Sequence, residues 1–430
     1  MNQKINRNNL SYYLSLTIYN LTLFLYRSGI YIASFFNPKA KLWIDGRKNI
    51  FQKIKTQLPD NQQLIWIHCA SLGEFEQGRP LIEKIKTNFP HFKILLTFFS
   101  PSGYEIRKNY PHADYIFYLP ADSPKNAQLF LDIVRPTLSI FVKYEFWYHY
   151  LHQLHERKIP TFLIAAVFRK EQIFFKPYGT FFKNMLPFFN HIFAQNKDSK
   201  TLLLQNEIKN VTVAGDTRVD RVLDIQKNAP SFGVIEAFKG TTDILIGGST
   251  WSADEEIIIQ WIHQQKDFRW KFIIAPHDIS ENRLVEIEKK LTVNAIRFSK
   301  ANAFNASAAR VMIIDNIGML SSIYQYGKVA FIGGGWGAGI HNTLEPIAFG
   351  LPVIFGKKYQ KFEEAKCLVK SGGGFSVSGF SDFEKIIKQL EDEFFYNNAS
   401  TKAKNYILEN QGATEKILSF AESLNVFNDE

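Results

Sequence analysis

Cysteine is scarce in this chain, and its scarcity excludes several kinds of site. Only Cys69 and Cys367 occur among 430 residues. One disulfide is arithmetically possible, but usage this low is typical of a reducing cytoplasm and excludes a cysteine-based metal site. The sequence also lacks paired histidines at metal-ligand spacing on a helix, a D-x-D motif after a strand, and a G-x-x-x-x-G-K-[ST] loop. These absences favour a metal-independent transferase that needs no cofactor over a kinase or a metal hydrolase.

Acidic residues are scarce at the N-terminus. Residues 1–60 contain nine Lys and Arg against two Asp and Glu, so most of the net charge of +10 lies there. The body of the chain has no basic stripe interleaved with aromatic residues, and nucleic acid is therefore not a predicted partner. A chain of this length is long enough for two domains, each with its own core.

The N-terminal segment is nearly free of charge. Residues 10–36 contain a single charged side chain, Arg27, and are rich in Leu, Ile, Tyr and Phe. The length would span a bilayer, but Asn20, Arg27 and many hydroxyl residues suit its hydrocarbon centre poorly. Cations flank both sides, so we predict a membrane-associating segment over residues 1–40 that lies on or dips into an anionic leaflet. The alternative is a pair of core helices.

Short apolar runs alternate with helical stretches from residue 64 onwards. This rhythm is typical of βα units in a parallel sheet. A polar stretch with Pro230 and Gly233 interrupts it. The sequence thus predicts an α/β protein of two doubly wound, Rossmann-like domains that face a cleft, over residues 41–225 and 234–430 with a linker at 226–233. Ser381 and Glu384 are predicted to form a capping box in the tail, whose closing helices could cross back to the first domain. The runs that predict strands are 64–68, 93–99, 114–119, 138–142, 161–166, 191–194, 211–214, 243–248, 271–275, 310–314, 329–334 and 352–355.

The stretch from 329 to 355 has the pattern of a phosphate cradle. An apolar run ends in Gly333, Gly334 and Gly335, and a helix-compatible segment then opens at His341 and Asn342 and carries Glu345. Glycines let the backbone approach an anion, and a helix N-terminus aims N–H groups at it. The Glu345 carboxylate could accept hydrogen bonds from both ribose hydroxyls of a nucleotide. The alternative is a structural turn that binds nothing.

Polar residues follow three predicted strands of the first half. Glu74 comes directly after the first strand, and a carboxylate there could take a proton from a hydroxyl nucleophile. The alternative is a glutamate that balances a helix dipole. The other candidates, predicted to hold polar groups of an acceptor, are Ser71, Gly73, Ser100, Ser102, Gly103, Lys143 and Glu145, although Lys143 and Glu145 could form a simple ion pair.

Two strand ends of the second half repeat this arrangement. Ser249 and Thr250 end one strand, and Pro276 and His277 end the next. Each could be an ordinary loop, but together with the glycine turn they predict a donor site in the second domain.

Several of these stretches resemble, in order, motifs of the bacterial 3-deoxy-D-manno-octulosonic acid (Kdo) transferases of lipopolysaccharide synthesis. The resemblance covers essentially the whole chain, and the S-x-G-E and H-N-x-x-E-P elements are specific to that family. The matching stretches are WIHCASLGEFEQ (66–77), TFFSPSG (97–103), KYEFWYH (143–149), GDTRVD (215–220), GGSTWSADEE (247–256), PH (276–277), DNIGMLSSIY (315–324) and GGGWGAGIHNTLEP (333–346).

The resemblance implies an inverting GT-B glycosyltransferase that moves Kdo from CMP-Kdo to the lipid A precursor. It places the enzyme at the cytoplasmic face of the inner membrane, with Glu74 as the base. It also implies that the glycine turn, His341, Asn342 and Glu345 hold CMP. Two other functions remain open from the residues: a GT-B transferase for another nucleotide sugar, and a non-catalytic membrane-bound binder of nucleotide sugars.

The chain departs from the family pattern at four places, so donor contacts are expected to differ in detail. The family has Ser-Thr-His where Trp251 completes the motif here, and Pro-Arg-His where this chain has Pro276, His277 and Asp278. Residues 165–169 replace Asn-Ala-Arg-Leu-Ser, and residues 215–220 replace Gly-Asn-Leu-Lys-Phe-Asp, with Arg218 keeping the positive charge.

Overall fold

A computed structural model describes residues 10–60, 62–265 and 269–427. The chain divides into two compact units. Unit 1 comprises residues 1–220 and 412–430, and unit 2 comprises residues 221–411. Each unit is built around one parallel sheet with helices between successive strands.

Unit 1 contains seven strands, and their apolar sequences explain their burial. All six residues of the first strand are buried, as expected of a strand covered on both faces. The strands are β1 (Leu64–Cys69), β2 (Lys93–Phe98), β3 (Tyr115–Tyr118), β4 (Leu138–Val142), β5 (Thr161–Ala166), β6 (His191–Ala194) and β7 (Val211–Val213). The helices are α1 (Leu10–Ala33), α2 (Pro38–Asp45), α3 (Ile50–Gln57), α4 (Leu72–Asn88), α5 (Pro101–Arg107), α6 (Pro124–Val134), α7 (Tyr148–Glu156), α8 (Thr180–Lys183) and α9 (Lys197–Gln205), with short 3-10 turns at Ile173–Phe175 and Leu186–Phe188. Helix α10 (Thr217–Lys227) begins in unit 1 and continues into unit 2.

The sheet of unit 1 has the order β3-β2-β1-β4-β5-β6-β7, and all its pairs are parallel. The order reverses next to β1, which lies between β2 and β4. Because the carboxyl ends of parallel strands share one edge, the loops after β1, β2 and β4 lie side by side there. In β1, His68 is level with Thr97 of β2 and with Phe141 of β4.

Unit 2 contains a second parallel sheet of seven strands. Its order is β10-β11-β9-β8-β12-β13-β14. The strands are β8 (Asp243–Thr250), β9 (Trp270–Pro276), β10 (Ala295–Arg297), β11 (Val311–Ile313), β12 (Val329–Ile332), β13 (Val353–Gly356) and β14 (Gly374–Val377). The helices are α11 (Gly233–Lys239), α12 (Ser252–Gln264), α13 (Glu281–Lys290), α14 (Ala303–Ala308), α15 (Leu320–Ile323), α16 (Leu344–Ala348), α17 (Glu363–Ser371), α18 (Phe380–Leu390) and α19 (Glu393–Asn410), with 3-10 turns at Phe298–Lys300 and Tyr324–Tyr326.

The last helix, α20 (Ala413–Ser423), belongs to unit 1. Its buried residues join the cluster of β1, β2 and α4, and Phe427 stacks on Phe89 at 3.9 Å between ring centroids. Asp220 fixes its start by accepting hydrogen bonds from the backbone N–H groups of Gly412 (2.6 Å) and Thr414 (2.7 Å). The predicted domain boundaries differ accordingly. Residues 412–430, which the prediction assigned to the second domain, belong to unit 1. The predicted linker 226–233 overlaps the last residues of α10 and the first residue of α11.

Helix α1 packs one face on unit 1 and exposes the other. Tyr19 Oη donates to Asp122 at 2.7 Å, and Asn20 Oδ1 lies 2.7 Å from His149 Nε2, so the polar Asn20 is satisfied by the protein. None of the residues of α1 is buried, which excludes the alternative of a core helix. In the part of the chain that the structure describes, no helix has both the length and the apolar character needed to cross a bilayer.

Three local predictions were wrong. Strands β10 and β14 did not appear among the predicted strands, because β10 ends in the charged Arg297 and β14 opens with glycine, so neither forms an apolar run. The predicted capping box at Ser381 and Glu384 does not form. A capping box at Ser381 would start the helix at Asp382, but helix α18 begins at Phe380, after Gly379, and has no side-chain cap.

Candidate active site

Glu74 lies in the first turn of α4, directly after β1. Ser71 is the N-cap of this helix and accepts a hydrogen bond from the backbone N–H of Gly73 at 3.3 Å. The Ser71 hydroxyl also donates a close hydrogen bond to Glu74 Oε2. The Glu74 carboxylate is half-buried and therefore fixed in direction without being sealed from solvent. In the first turn of a helix, a negative charge is stabilised by the helix dipole, as the alternative supposed. The same position places the carboxylate at the edge of the sheet where the loops after β1, β2 and β4 lie.

The loop after β2 packs against the loop after β1. The backbone N–H of Ser100 donates to Ala70 O at 2.7 Å, and Ser100 caps α5 by accepting from Ser102 N at 3.3 Å. Gly103 allows this close approach, because a methyl group there would clash with the Phe98 ring and lie 3.1 Å from the carbonyl carbon of Ser71. The predicted residues of the two loops are therefore neighbours.

Glu145 is buried at the end of β4 and is held by two donors. His68 Nε2 lies 3.0 Å from its Oε2 oxygen, and Trp147 Nε1 donates to the same oxygen at 2.7 Å. Lys143 has a positive φ of 69° and its Nζ lies 5.6 Å from the centre of the Tyr144 ring. Glu145 is thus held by aromatic side chains on β1 and on its own loop.

The ring of His68 is in turn fixed from behind. Trp66 Nε1 donates to Thr97 Oγ1 at 2.8 Å, so the Thr97 hydroxyl proton is available to His68 Nδ1 at 2.9 Å. That arrangement places a proton on Nε2, which donates to Glu145. Burial raises the pKa of the Cys69 thiol, and the charges of Glu74 and Glu145 raise it further, so both carboxylates act on one point at the end of β1.

The glycine-rich turn of unit 2 is shaped by packing. A methyl group at Gly333 would clash with Ser249 O, and one at Gly335 would clash with the backbone N of Gly356. Gly334 has φ of 92°, which favours glycine. The N–H of Gly333 donates to Gly248 O and that of Gly334 to the carboxylate of Asp254, both at 2.9 Å. The N–H groups of Gly337 and His341 also donate within the turn, to Gly334 O (2.9 Å) and Gly333 O (3.0 Å). The amides at positions 335, 336 and 338–340 are therefore the candidates to meet a phosphate.

Asp254 joins this turn to the start of α12. Its Oδ2 oxygen accepts from the backbone N–H groups of Trp251 (2.8 Å) and Gly334 (2.9 Å). Its Oδ1 oxygen is buried without a hydrogen-bond partner among the described residues, and burial raises the pKa of this carboxyl. A buried carboxylate that holds two backbone amides fixes the turn relative to the helix.

The strand-end residues of unit 2 meet beside the turn. Ser249 has a positive φ of 52° at a bulge in β8, and Pro276 pairs with Thr250. The N–H of His277 donates to Thr250 O at 2.9 Å, and the Thr250 hydroxyl donates to Glu255 at 2.9 Å. The His277 ring stacks on Trp251 and on His341, at 4.6 Å and 4.7 Å between ring centroids. The predicted donor-site residues thus form one group.

The segment after the turn differs from its prediction. His341 and Asn342 do not open a helix, because α16 begins at Leu344 and has only five residues. Asn342 instead folds the loop onto the helix: its Oδ1 accepts from Leu344 N, and its Nδ2 donates to Glu345 Oε1, both at 3.0 Å. Glu345 therefore lies in the first turn, and a helix this short contributes little dipole to an anion site.

Sequence reasoning missed several residues of these two groups. His68 interrupts an otherwise apolar buried strand, which is a signal that could have identified it. Asp254 lies in an acidic helix start and looked like an ordinary cap. The Tyr324 hydroxyl lies close to Gly248. Burial raises the pKa of the Tyr324 phenol, and the charge of Glu345 raises it further. Among the described residues, no cluster of three or more His, Cys, Asp or Glu could hold a metal ion.

Comparisons with known proteins show similarity to one family of transferases. Residues 46–221 match the family model described as 3-Deoxy-D-manno-octulosonic-acid transferase (kdotransferase). A 3-deoxy-D-manno-octulosonic acid transferase of Haemophilus influenzae is 29% identical over 375 residues, which cover 83% of this chain and 86% of that protein. The enzyme of the same description from Aquifex aeolicus is 27% identical over 341 residues, or 78% and 88% of the two chains.

A solved structure extends the likeness to the fold of both units. The UDP-GlcNAc 2-epimerase from Neisseria meningitidis bound to UDP-GlcNAc superposes with a TM-score of 0.56 at 16% identity, covering 83% of this chain and 99% of that one. The two parallel Rossmann-like sheets define the GT-B fold, and the curated relatives place the chain in the class of glycosyltransferases. Within that class, the chain is similar to the Kdo transferases over most of its length.

Proposed function

We propose that this chain transfers Kdo from CMP-Kdo to the lipid A precursor, and that Glu74 is the base. The observation that carries the assignment of the base is the position of Glu74 in the first turn of α4, where the Ser71 hydroxyl fixes one carboxylate oxygen. The other oxygen would take the proton of an acceptor hydroxyl as that hydroxyl attacks the anomeric carbon of Kdo. The bond from that carbon to the CMP phosphate breaks, and the configuration inverts.

The group in unit 2 would hold the nucleotide. The amides at positions 335, 336 and 338–340 can donate to a phosphate, and Glu345 can accept from ribose hydroxyls. Ser249, Thr250, Pro276, His277, His341 and Asn342 complete the proposed donor set. The preorganised turn supports this role, because donors fixed by packing need no reorganisation when charge develops on the leaving phosphate.

The loops of unit 1 would hold the acceptor sugar. The hydroxyls of Ser71, Ser100 and Ser102 and the small residues Gly73 and Gly103 line the edge beside Glu74, and Glu145 offers a buried carboxylate held by His68. Lys143 adds a cation to the same edge. Hydroxyls and carboxylates at hydrogen-bonding distance from a sugar are what orient one of its hydroxyls for attack.

A cavity behind these loops fits the anionic, acylated part of such an acceptor. It has a volume of about 880 Å³ and lies between α1, α2, α3 and the loop after β3. Arg27, Arg47 and Lys48 line it together with Phe24 and Tyr31, and no described residue of its lining is acidic. Three cations beside apolar walls suit a phosphate attached to a hydrocarbon chain.

Arg47 is the best placed of the three cations. It donates to three backbone carbonyls, Trp43 O (3.1 Å), Phe99 O (2.8 Å) and Leu119 O (2.9 Å), and its guanidinium carbon lies 3.8 Å from the Trp43 ring centroid. Burial lowers its pKa, and the like charge of Arg27 lowers it further. A bound phosphate would relieve this repulsion. The Phe99 carbonyl ties the cavity to the loop that carries Ser100.

The exposed face of α1 supports a membrane location at the cytoplasmic face of the inner membrane. Leu14, Phe24 and Leu25 are 59%, 64% and 60% exposed, and Phe36 beyond the helix is 86% exposed. An apolar face of this size is costly in water and suits the boundary between headgroups and acyl chains. Basic residues beside it would add attraction to anionic lipids, at about 1 kcal/mol each.

The experiment that tests the proposal measures Kdo transfer from CMP-Kdo to a tetraacylated lipid A precursor without added metal. Glu74→Gln keeps the size of the side chain and should reduce the rate by about 10²-fold or more while CMP binding persists. Glu76→Gln is the matched control, because Glu76 lies two residues further along α4 and binds Arg107 at 2.8 Å. It should retain activity.

Other outcomes would favour the alternatives. Wild-type protein that binds UDP in preference to CMP, and transfers no Kdo, would indicate a GT-B transferase for another nucleotide sugar. Protein that binds CMP-Kdo but transfers nothing to any acceptor, with Glu74→Gln indistinguishable from wild type, would indicate a non-catalytic binder.

A further inference from the structure

Three aromatic rings meet at the proposed donor site, and one of them belongs to a residue at which the chain departs from its family. Trp251 Nε1 lies 3.1 Å from His341 Nε2. The His277 ring stacks on Trp251 with an interplanar angle of 29° and on His341 with an angle of 24°. Trp251 remains 46% exposed, so its ring also faces solvent beside the glycine-rich turn.

The hydrogen bond between Trp251 and His341 can run in only one direction. An indole N–H donates and never accepts, so His341 Nε2 must be the acceptor and must carry no proton. The ring proton of His341 then lies on Nδ1. A doubly protonated ring would point an N–H at the indole N–H and lose this bond. We propose that Trp251 is a positioning residue that holds His341 as a neutral ring with its proton on Nδ1.

The surroundings of His341 favour the same neutral state. Burial lowers the pKa of His341, and the charge that His277 can acquire lowers it further. Three acidic groups near the rings have donors of their own: Oδ2 of Asp254 in α12 binds two backbone amides, Glu345 of α16 binds Asn342, and Asp278 after β9 binds Ser280 at 2.9 Å and 3.1 Å. The stacked His277 faces the ring of His341, and a cation on either ring would oppose a cation on the other.

A consequence follows for donor binding, and this consequence rests on the proposed function. A neutral Nδ1–H recognises a nucleotide by direction, whereas an imidazolium would attract any anion and would titrate between about pH 5 and 8. With Trp251 in place, the contribution of His341 to donor binding should not change across that range. When the indole N–H of Trp251 is removed, His341 should become protonated at the acid end of this pH range. The protonated ring should then bind the anionic donor more tightly.

The first test compares the affinity of full-length wild type and Trp251→Phe for CMP by calorimetry. The Phe ring keeps an aromatic surface for His277 but removes the N–H donor. The ratio of the two dissociation constants, variant over wild type, should fall by about threefold or more between about pH 8 and about pH 5.5, since a change of one pKa unit is worth tenfold. Taking the ratio cancels the titration of the CMP phosphate itself.

Two controls separate this role from a general effect of the substitution. In a His341→Ala background, adding Trp251→Phe should leave the ratio constant with pH, because the residue that titrates is gone. Trp261→Phe removes an indole on α12 whose Nε1 has no hydrogen-bond partner among the described residues, and its pH profile should parallel that of wild type. A pH-independent ratio for Trp251→Phe would overturn the inference, as would the same pH dependence in the His341→Ala background.

The second test measures the ring directly and does not need a nucleotide. In protein carrying ¹³C-labelled histidine, the chemical shift of the His341 ring carbons distinguishes the Nδ1–H from the Nε2–H tautomer, and His341→Gln assigns the signal. Wild type should show the Nδ1–H form at neutral pH, and Trp251→Phe should lose that preference. An Nε2–H form or an imidazolium in wild type would overturn the inference. If wild type shows the Nδ1–H form but fails to bind CMP, the proposal that CMP-Kdo is the donor is refuted. The proposal that Trp251 fixes the tautomer of His341 is then retained.

Discussion

His68 Nε2 lies 3.0 Å from Glu145 Oε2, and both side chains are buried at adjacent strand ends of unit 1. The Thr97 hydroxyl lies 2.9 Å from His68 Nδ1 and also accepts from Trp66 Nε1, so the far side of the imidazole is held as well. Glu145 is therefore held in one position by four side chains, which come from two strands and one loop. Its role at the acceptor edge should depend on this support.

Replacing His68 should impair transfer without affecting the nucleotide. His68→Leu leaves the buried oxygen of Glu145 with Trp147 as its remaining donor, and an unsatisfied buried acceptor costs about 1–3 kcal/mol. We expect kcat/KM for the acceptor to fall about tenfold or more, while CMP binding remains unchanged. His191→Leu is the matched control, since His191 of β6 is also buried and pairs with a threonine, Thr212, at 2.9 Å. Equal losses in both variants would contradict a role for Glu145.

Asp122 should make stability depend on pH. Burial raises its pKa from 3.8 to about 6, although hydrogen bonds from Tyr19 and from the backbone N–H groups of His149 and Tyr150 oppose the shift. The folded state thus binds this proton more tightly than the unfolded chain does. The contribution of Asp122 to the free energy of unfolding is greatest below its unfolded pKa and is lost as the pH rises through about 6.

The measurement is chemical unfolding of wild type and Asp122→Asn at several pH values. The stability of wild type relative to the variant should fall by about 2 kcal/mol between about pH 4 and about pH 7. If the difference in free energy of unfolding between wild type and Asp122→Asn stays constant with pH, the raised pKa of Asp122 is refuted.

Glycines of the same turn should differ sharply in their tolerance of a methyl group. Gly333→Ala would drive a methyl group into the backbone of Ser249 and should lower the stability of the protein by about 3 kcal/mol. Gly337→Ala meets nothing closer than Gly334 O at 3.6 Å and should change stability by less than about 0.5 kcal/mol. Thermal unfolding by calorimetry compares the two variants. Similar effects would show that the turn can relax away from Ser249.

The exposed face of α1 should govern membrane partition. Replacing Leu14, Leu21 and Leu25 together by Ser removes apolar area without removing the helix, and we expect a large part of the protein to leave vesicles that contain anionic lipid. Deleting residues 1–36 should release the protein or cause it to aggregate. Phe304→Ser is the control, because Phe304 is 88% exposed in unit 2. The measurement is flotation of the protein together with these vesicles. Unchanged flotation of the triple variant and of the deletion would refute the role of α1 as a membrane anchor.

The sequence pattern predicted the strands of both sheets wherever an apolar run was long enough to be buried on both faces. It failed at β10 and β14, whose few residues are stabilised by their neighbours in the sheet and leave no pattern of their own. It also predicted a helix at His341, because the spacing resembles a helix start. The local hydrogen bond from Leu344 N to Asn342 Oδ1 settles that segment as a loop.

The candidate residues were predictable as members of strand-end groups, and the distances among them were not. Ser71, Ser100 and Gly103 could be placed at one edge because parallel strands end together. The pairing of Glu145 with His68 could not be deduced, since 77 positions separate them in the chain. Likewise, Trp251 was recognisable only as a departure from a motif, because its contact with His341 depends on the turn that Asp254 holds.

The return of α20 to unit 1 has a consequence for biosynthesis. Residues 413–427 supply part of the core around Phe89 and Phe92, yet a ribosome makes them only after all of unit 2 has been translated. Unit 2 can therefore fold while unit 1 still exposes the apolar face that α20 will cover. During this interval the nascent chain presents an open patch to chaperones, and a product that terminates early between the two segments of unit 1 would carry that patch permanently and be a target for degradation.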